Sequence, residues 1–359
     1  MAVTAAQLLS GANKQLEAYN KSAPVDQVNK DKPLMEWLVA NKKPTIGGNY
    51  YYNEKIHVSN DSNYQNYSED DQVTYNRRDT VRLAKFGWAS FHDGFGVNED
   101  ELARNGINIT EEGNTSTVTD AELIQIYDLM EQNYTDLKMG VQEKFDEELH
   151  LDGTQDPKAV QGLDFLVSTT PATTVVGGID AATATYWRNN VALNIPAVVD
   201  EATAAAFIAA METMWRACRT YGRQNPDKIL CGSTFYDNYR KALNLANGRQ
   251  VTIVNRSGRP GTPSLDGGTG DIFFQNVLVE WDPTFDSLDD LYGAPAVPWR
   301  KRCYFLNSNT IKLRPLIGHW MVNRKPPRMY DRYVYYFAMT SKYRLTTNKR
   351  NANAVLSVA

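Results

Sequence analysis

The stretch from Thr117 to Gly153 constrains this chain more than any other. Thr119-Asp120-Ala121-Glu122 has the form of a capping box, in which the hydroxyl bonds a free N–H and the glutamate bonds back. Apolar residues then recur at Leu123, Ile126, Tyr127, Met130, Tyr134, Leu137, Val141, Phe145 and Leu149. Spacings of three and four keep that stripe on one helical face. Asp, Glu, Gln and Lys fill the opposite face, and Gly153 offers the stop. At about 1.5 Å per residue, a helix over 119–152 is roughly 45–50 Å long. It exceeds an ordinary small domain, so it either crosses its own domain or supports something beside it.

What precedes the helix cannot stand alone. Residues 1–44 read as an arm with two short helices, Ala5 to Leu16 and Pro33 to Lys42, the second with Leu34, Trp37 and Leu38 on one side. Neither is long enough to be stable without a surface to dock on. The polar segment Lys21 to Lys32 between them is expected to lie across another subunit. Residues 45–100 change character. Tyr50-Tyr51-Tyr52, Ile56 and Val58 lead into a polar run, Ser59 to Asp71, and then Val73, Tyr75, Val81, Leu83 and Phe86 resume a strand-like mixture. This predicts two extended strands joined by a long polar tip. A lone two-stranded ribbon is marginal in water, so another chain must support it.

After the helix come Gly162-Leu163, the Gly177-Gly178-Ile179-Asp180 turn and Tyr186-Trp187-Arg188-Asn189. From Val199 to Trp281 helical and strand patterns alternate, which predicts a mixed α/β region. Helices are expected over Val199–Tyr221 and from Ser233 to near Asn247. Strands are expected at Lys228–Gly232, Thr252–Val254, Ile272–Phe274 and Val277–Trp281. The tail returns to strands at Cys303–Leu306, Thr310–Leu313 and Tyr333–Tyr343. No internal repeat is visible, which argues against a fibre protein.

Charge is unevenly placed. The whole chain carries −4, which excludes a polycation built for nucleic acid. Between Arg300 and Arg350, however, thirteen Lys or Arg accompany one acid, Asp331. The sequence suggests a basic C-terminal block that attracts the acidic remainder, within one molecule or between neighbours. Three cysteines, Cys218, Cys231 and Cys303, form no close pair and fit a reducing compartment. The N-terminus lacks a signal-peptide pattern, and no apolar run is long enough for a membrane span, so no membrane partner is expected.

The residues that carry chemistry do not converge. His57, His92, His150 and His319 lie far apart, without the close spacing of metal ligands. Ser257–Gly270, with five Gly and two Pro, lacks the ending of a phosphate cradle and reads as a loop. Gly177-Gly178 reads as a turn, since the other glycines of a dinucleotide fingerprint are missing. Asp282, Asp286, Asp289 and Asp290 read as an acidic solvated turn. Ser233 after Gly232 reads as a helix cap. Glu147 and Glu148 read as a solvated face. No catalytic, cofactor-binding or metal site is therefore expected, and the chain is read as a non-enzyme.

The order of parts resembles the major capsid proteins of tailed bacteriophages, with their Hong Kong 97-type fold. Gly162-Leu163, the Gly177–Asp180 turn, Tyr186–Asn189, and Tyr335–Leu345 followed by Asn348–Asn353 are similar to corresponding segments of that family. The resemblance implies an α+β fold in five parts: an N-terminal arm (1–44), an extended two-stranded loop (45–100), a peripheral domain (101–195) with a spine helix over 119–152, an α/β axial domain (196–299), and a return to the peripheral domain (300–359). It implies a shell of hexamers and pentamers around double-stranded DNA, assembled in a bacterial cytoplasm. Self, a portal protein, a separate scaffolding protein and, as an option, a decoration protein are the implied partners. A separate scaffold is expected because no room for a cleaved scaffolding segment is seen before residue 45. The basic C-terminal surface, with Arg344 and Lys349, is expected to meet the packaged DNA through phosphate contacts. The alternatives are an encapsulin-type compartment shell, which uses a similar subunit, and a soluble enzyme with its α/β core at 196–299.

Overall fold

The computed structural model describes residues 29–47, 49–98, 120–222, 225–246, 272–324 and 334–359. The chain divides into a unit Met1–Lys30 and a unit Asp31–Ala359, and every element named below belongs to the second. The expected helix over Ala5–Leu16, the cap residue Thr119 and the expected strand Thr252–Val254 lie outside the described residues.

In chain order the elements are α1 (Pro33–Ala40), β1 (Tyr52–His57), β2 (Val81–Phe86), β3 (Ala89–Asn98), α2 (Asp120–His150), α3 (Leu163–Leu166), β4 (Val175–Val176), β5 (Ile179–Asp180) and β6 (Asn190–Ile195). There follow α4 (Glu201–Gly222), β7 (Lys228–Cys231), α5 (Ser233–Ala246), β8 (Ile272–Phe274), β9 (Val277–Trp281), α6 (Pro283–Tyr292), β10 (Arg302–Leu306), β11 (Ile311–Leu313), β12 (Val322–Arg324), β13 (Val334–Tyr343), β14 (Leu345–Thr347) and β15 (Ala354–Val358).

The long helix α2 has 31 residues, about 46 Å at 1.5 Å each. Leu137, Val141, Phe145 and Leu149 are buried along one stripe, as the periodicity predicts. Leu137 and Val141 pack with Met339 under the sheet β12-β13-β3, while Phe145 and Leu149 enter the main core. Gly153 ends the segment with φ +84°, a conformation that L side chains rarely adopt.

A six-stranded mixed sheet, in the order β6-β15-β10-β7-β9-β8, divides the core. Ile229, Cys231, Cys303, Phe305, Ala354 and Leu356 face one cluster, with Phe207, Met211, Trp215 and Phe235 from α4 and α5. Leu230, Tyr304, Leu306 and Val355, the alternate residues, face the other cluster with Phe285, Leu288, Leu149 and Trp187. A period of two thus sends neighbouring side chains into separate cores, which is why these strands read as nearly continuous apolar runs. Strand β15, which the sequence reading passes over, lies inside this sheet, parallel to β6 and antiparallel to β10.

Three further differences have physical causes. Residues 282–290 are not a solvated turn: Asp282 caps α6 by accepting from Thr284 N at 3.0 Å, and Phe285 and Leu288 are buried beneath it. Four alternating acids disguise an amphipathic helix. Helix α1 does not wait for a neighbour, because Leu34 and Leu38 join the main core of its own chain. Residues 89–98 do not extend the ribbon; β3 pairs along its length with β13.

Candidate functional site: the projecting ribbon and its anchorage

The ribbon is built by β1 and β2, antiparallel, with Tyr52 opposite Phe86 and His57 opposite Val81. Alternation sends Ile56, Ala84 and Phe86 into the core and leaves Lys55, His57, Val81 and Leu83 exposed. Beyond His57 and Val81 the two arms continue without regular pairing, so Val73 and Tyr75 are not in a strand. Asn63 and Gln65 reach across to Thr74 and hold the arms side by side. Tyr64, Tyr67 and Tyr75 are 84%, 74% and 93% exposed. Large aromatics this open on a segment with no core of its own are the mark of a surface awaiting a partner.

The root of the ribbon is held firmly. Gly177 and Gly178 both take positive φ, +63° and +77°, the geometry of a tight turn that joins β4 to β5. Lys85 N donates to Gly177 O at 2.8 Å, and a Cβ on Gly177 would meet Ala84 Cβ at 2.8 Å. The glycine lets β2 lie directly against the turn. On the other side Arg314 pairs with Glu54 at 2.5 Å and stacks over Tyr52 at 4.4 Å. Arg344 lies over the Trp88 ring at 3.2 Å and over Tyr52 at 4.8 Å, and donates to Phe86 O at 3.2 Å. Burial, then the neighbouring Arg314, pushes Arg344 down to about 10, which leaves it charged at neutral pH.

Arg344 is therefore not a surface group that meets DNA, contrary to the sequence expectation; it is 2% exposed. Part of the basic block is turned inward. Arg302, Arg314 and Arg350 are buried as well, and Arg302 pairs with Asp164 at 2.7 Å. Lys349 is exposed and donates to Tyr221 O.

Arg350 explains the Trp187-Arg188-Asn189 triplet. Its guanidinium donates to Leu166 O at 2.8 Å, Trp187 O at 3.0 Å and Asn189 Oδ1 at 3.1 Å. Trp187 Nε1 in turn donates to Val176 O, and Asn189 Nδ2 to Ser168 O. The segment after the long helix is wrapped around one buried cation that has carbonyl acceptors instead of a counter-ion. Burial pushes it down to about 10.

Of the four histidines, His57 and His92 are exposed and His319 is half-buried. His150 is fully buried. Its Nε2 lies 2.9 Å from Asp282 Oδ2, and its Nδ1 lies 2.7 Å from Asp146 O and 3.7 Å from Asp146 Oδ2. Thr284 Oγ1 closes the ring by donating to Asp146 Oδ2 at 2.6 Å. Burial by itself lowers the imidazole pKa, but Asp146 and Asp282 overcome it and raise the group to about 9. Among the described residues these three alone could offer a metal ion grouped ligand atoms, all within 4.8 Å. Both ring nitrogens already face acceptors, however, which is the arrangement of a bound proton. The cluster ties the end of α2 to the start of α6. Sequence reasoning missed it because 132 residues separate His150 from Asp282.

The other candidates are structural too. Glu147 is buried and pairs with Lys144, and Glu148 accepts from Val160 N and the Tyr343 hydroxyl, so neither is a solvated face. Ser233 bonds Asp286 Oδ1 at 2.8 Å through its hydroxyl instead of capping its own helix. Asp289 accepts from Trp299 N and Arg300 N, and Asp290 pairs with Arg300. The three cysteines are free and buried, and burial pushes the Cys218 thiol up to about 12. The loop Ser257–Gly270 lies outside the described residues. No helix among the described residues is long and apolar enough to cross a membrane.

No family model matches the sequence, and no curated protein sequence matches it. Solved structures do. A chain of the cyanophage A-1(L) capsid asymmetric unit aligns with a TM-score of 0.62 at 15% identity, over 95% of this chain and 97% of that one. A chain from the capsid of Myoviridae phage XM1 aligns at 0.55 and 10% identity, over 100% and 99%. A chain of an encapsulin complex from Synechococcus elongatus aligns at 0.50 and 13% identity, over 99% and 96%. Coverage is nearly complete in both directions while sequence identity is low. The chain thus has the α+β fold of tailed-phage capsid subunits, the Hong Kong 97-type fold.

Proposed function

We propose that this chain is a major capsid protein that assembles with copies of itself, as hexamers and pentamers, into a closed icosahedral shell around double-stranded DNA. The observation that carries the reading is the ribbon: a firmly anchored root and a tip, residues 58–80, whose Tyr64, Tyr67, Val73 and Tyr75 have no cover among the described residues. A ring of identical subunits supplies that cover to each copy by repeating one contact. In this reading residues 1–44 are the arm, 45–88 the extended loop, 89–195 and 300–359 the peripheral domain, to which β3 belongs by its pairing with β13, and 196–299 the axial domain. The role is structural, not enzymatic. A portal protein and a separate scaffolding protein complete the assembly in the host cytoplasm, with a decoration protein optional. Exposed cations of the C-terminal block such as Arg324 and Lys342 are the groups this reading gives to DNA in the virion.

Electron microscopy of the purified protein tests this. Closed particles of uniform diameter are expected, and a compact monomer at every concentration would overturn the reading. The contents of the particles separate the two shell types, since packaged DNA marks a virus and an enclosed enzyme marks an encapsulin compartment.

A further inference from the structure

The ribbon ends in charge. Ser68 N donates to Asp71 Oδ2 at 2.8 Å and Asp71 N to Ser68 O at 3.0 Å, so residues 68–71 form the turn at the apex. The apex bears Glu69, Asp70 and Asp71 in succession, all exposed. Arg77 and Arg78 lie back along the returning arm. At the other end of the same ribbon, beside its root, a cavity of about 390 Å³ opens between β1, the turn at Tyr186 and the chain at 348–351. Lys55, His57 and Lys349 line it together with Tyr186 and Tyr221, and no acid does. Among the described residues neither lysine has a carboxylate partner; Lys349 reaches a neutral carbonyl, Tyr221 O, at 3.3 Å.

A cationic, partly aromatic cavity without an acid of its own calls for an acidic segment. The apex has that composition, with its three acids in succession. Glu69 lies twelve residues beyond His57, and the contacts of Asn63 and Gln65 with Thr74 hold the two arms together, which sets the apex at the opposite end of the ribbon from its root.

We propose that the acidic apex of one copy's ribbon seats in the basic cavity beside the ribbon root of a neighbouring copy. This rests on the shell reading and supplies it with a register: every subunit offers one apex and one seat, so the contact is head-to-tail and closes around a ring. Opposite charge at the two ends favours this pairing over apex against apex or seat against seat.

The test is a charge swap, read as particle yield by sedimentation and electron microscopy, with thermal melting of dispersed subunits as the folding control. Lys55→Glu with Lys349→Glu reverses the seat, and Glu69→Lys with Asp70→Lys reverses the apex. Each reversal is expected to lower particle yield about tenfold, and the two together to restore it to within about threefold of the unaltered chain. Unaltered protein that assembles while the apex reversal assembles equally well overturns the inference and leaves the shell reading standing. A combined variant that fails to recover, although both single sets melt normally, overturns it too. If the seat reversal lowers the melting temperature, the apex reversal decides, because those side chains are exposed. Unaltered protein that forms no closed particle removes the shell reading and the inference with it.

Discussion

Raising the pH should loosen the junction between α2 and α6 through a single group. His150 is held at about 9 in the folded chain against 6.5 for a free imidazole. The folded state therefore binds this proton more tightly than the unfolded state. The stabilisation is complete below about pH 6.5 and disappears as pH rises through 9. At about 1.36 kcal/mol per pKa unit, the shift corresponds to on the order of 3 kcal/mol. The charged groups that face the ring are Asp146 from its own helix and Asp282 from the cap of α6; the third neighbour is the ring of Phe285, 4.8 Å away and edge-on. His150→Gln retains a donor but removes the charge, and breaking a buried pair in this way costs about 3–5 kcal/mol. The assay is the denaturant midpoint of dispersed subunits from pH 6 to pH 10, followed by tryptophan fluorescence. The unaltered chain should lose stability between pH 7 and pH 10. The variant should be weaker at pH 6, level across the range, and close to the unaltered chain at pH 10. An unaltered midpoint that stays flat from 6.5 to 10, or a variant that falls in parallel with it, would refute the assignment.

Three other outcomes follow from the geometry. Gly177→Ala places a Cβ 2.8 Å from Ala84 Cβ at φ +63°; it should cost about 1–3 kcal/mol and speed protease cleavage of the ribbon. Arg350→Met leaves Leu166 O, Trp187 O and Asn189 Oδ1 without this donor, and should lower stability by about 1–3 kcal/mol, seen as a reduced denaturant midpoint. Tyr67→Ser with Tyr75→Ser touches only exposed side chains, so melting of dispersed subunits should not change while the yield of assembled particles falls.

The sequence carries most of what is local. The stripe from Leu137 to Leu149 announces α2 because three- and four-residue spacing is a property of neighbours along the chain. The turn at Gly177-Gly178 is legible for the same reason, since two positive φ angles need glycine. The anchorage is not legible. Arg314 meets Glu54 across 260 residues, Arg344 meets Phe86 across 258, and His150 meets Asp282 across 132. A basic block read along the chain looks like a surface, whereas folding turns four of its arginines inward onto carbonyls, rings and acids. Helix α6 is hidden by its own acids, whose partners are the hydroxyl of Ser233, the backbone near Trp299 and the ring of His150. β15 escapes because its neighbours in the sheet, β6 and β10, are fixed only when the tail returns to the centre of the fold.

The claim beneath the whole account is that residues 58–80 acquire their cover from sister subunits. Amide hydrogen exchange, compared between dispersed subunits and assembled particles, measures this directly. The account predicts fast exchange over 58–80 in dispersed subunits, strong protection in particles, and little change over 52–57 and 81–86, where β1 and β2 are already paired. Equal exchange over 58–80 in the two states, whether fast or slow in both, would contradict it.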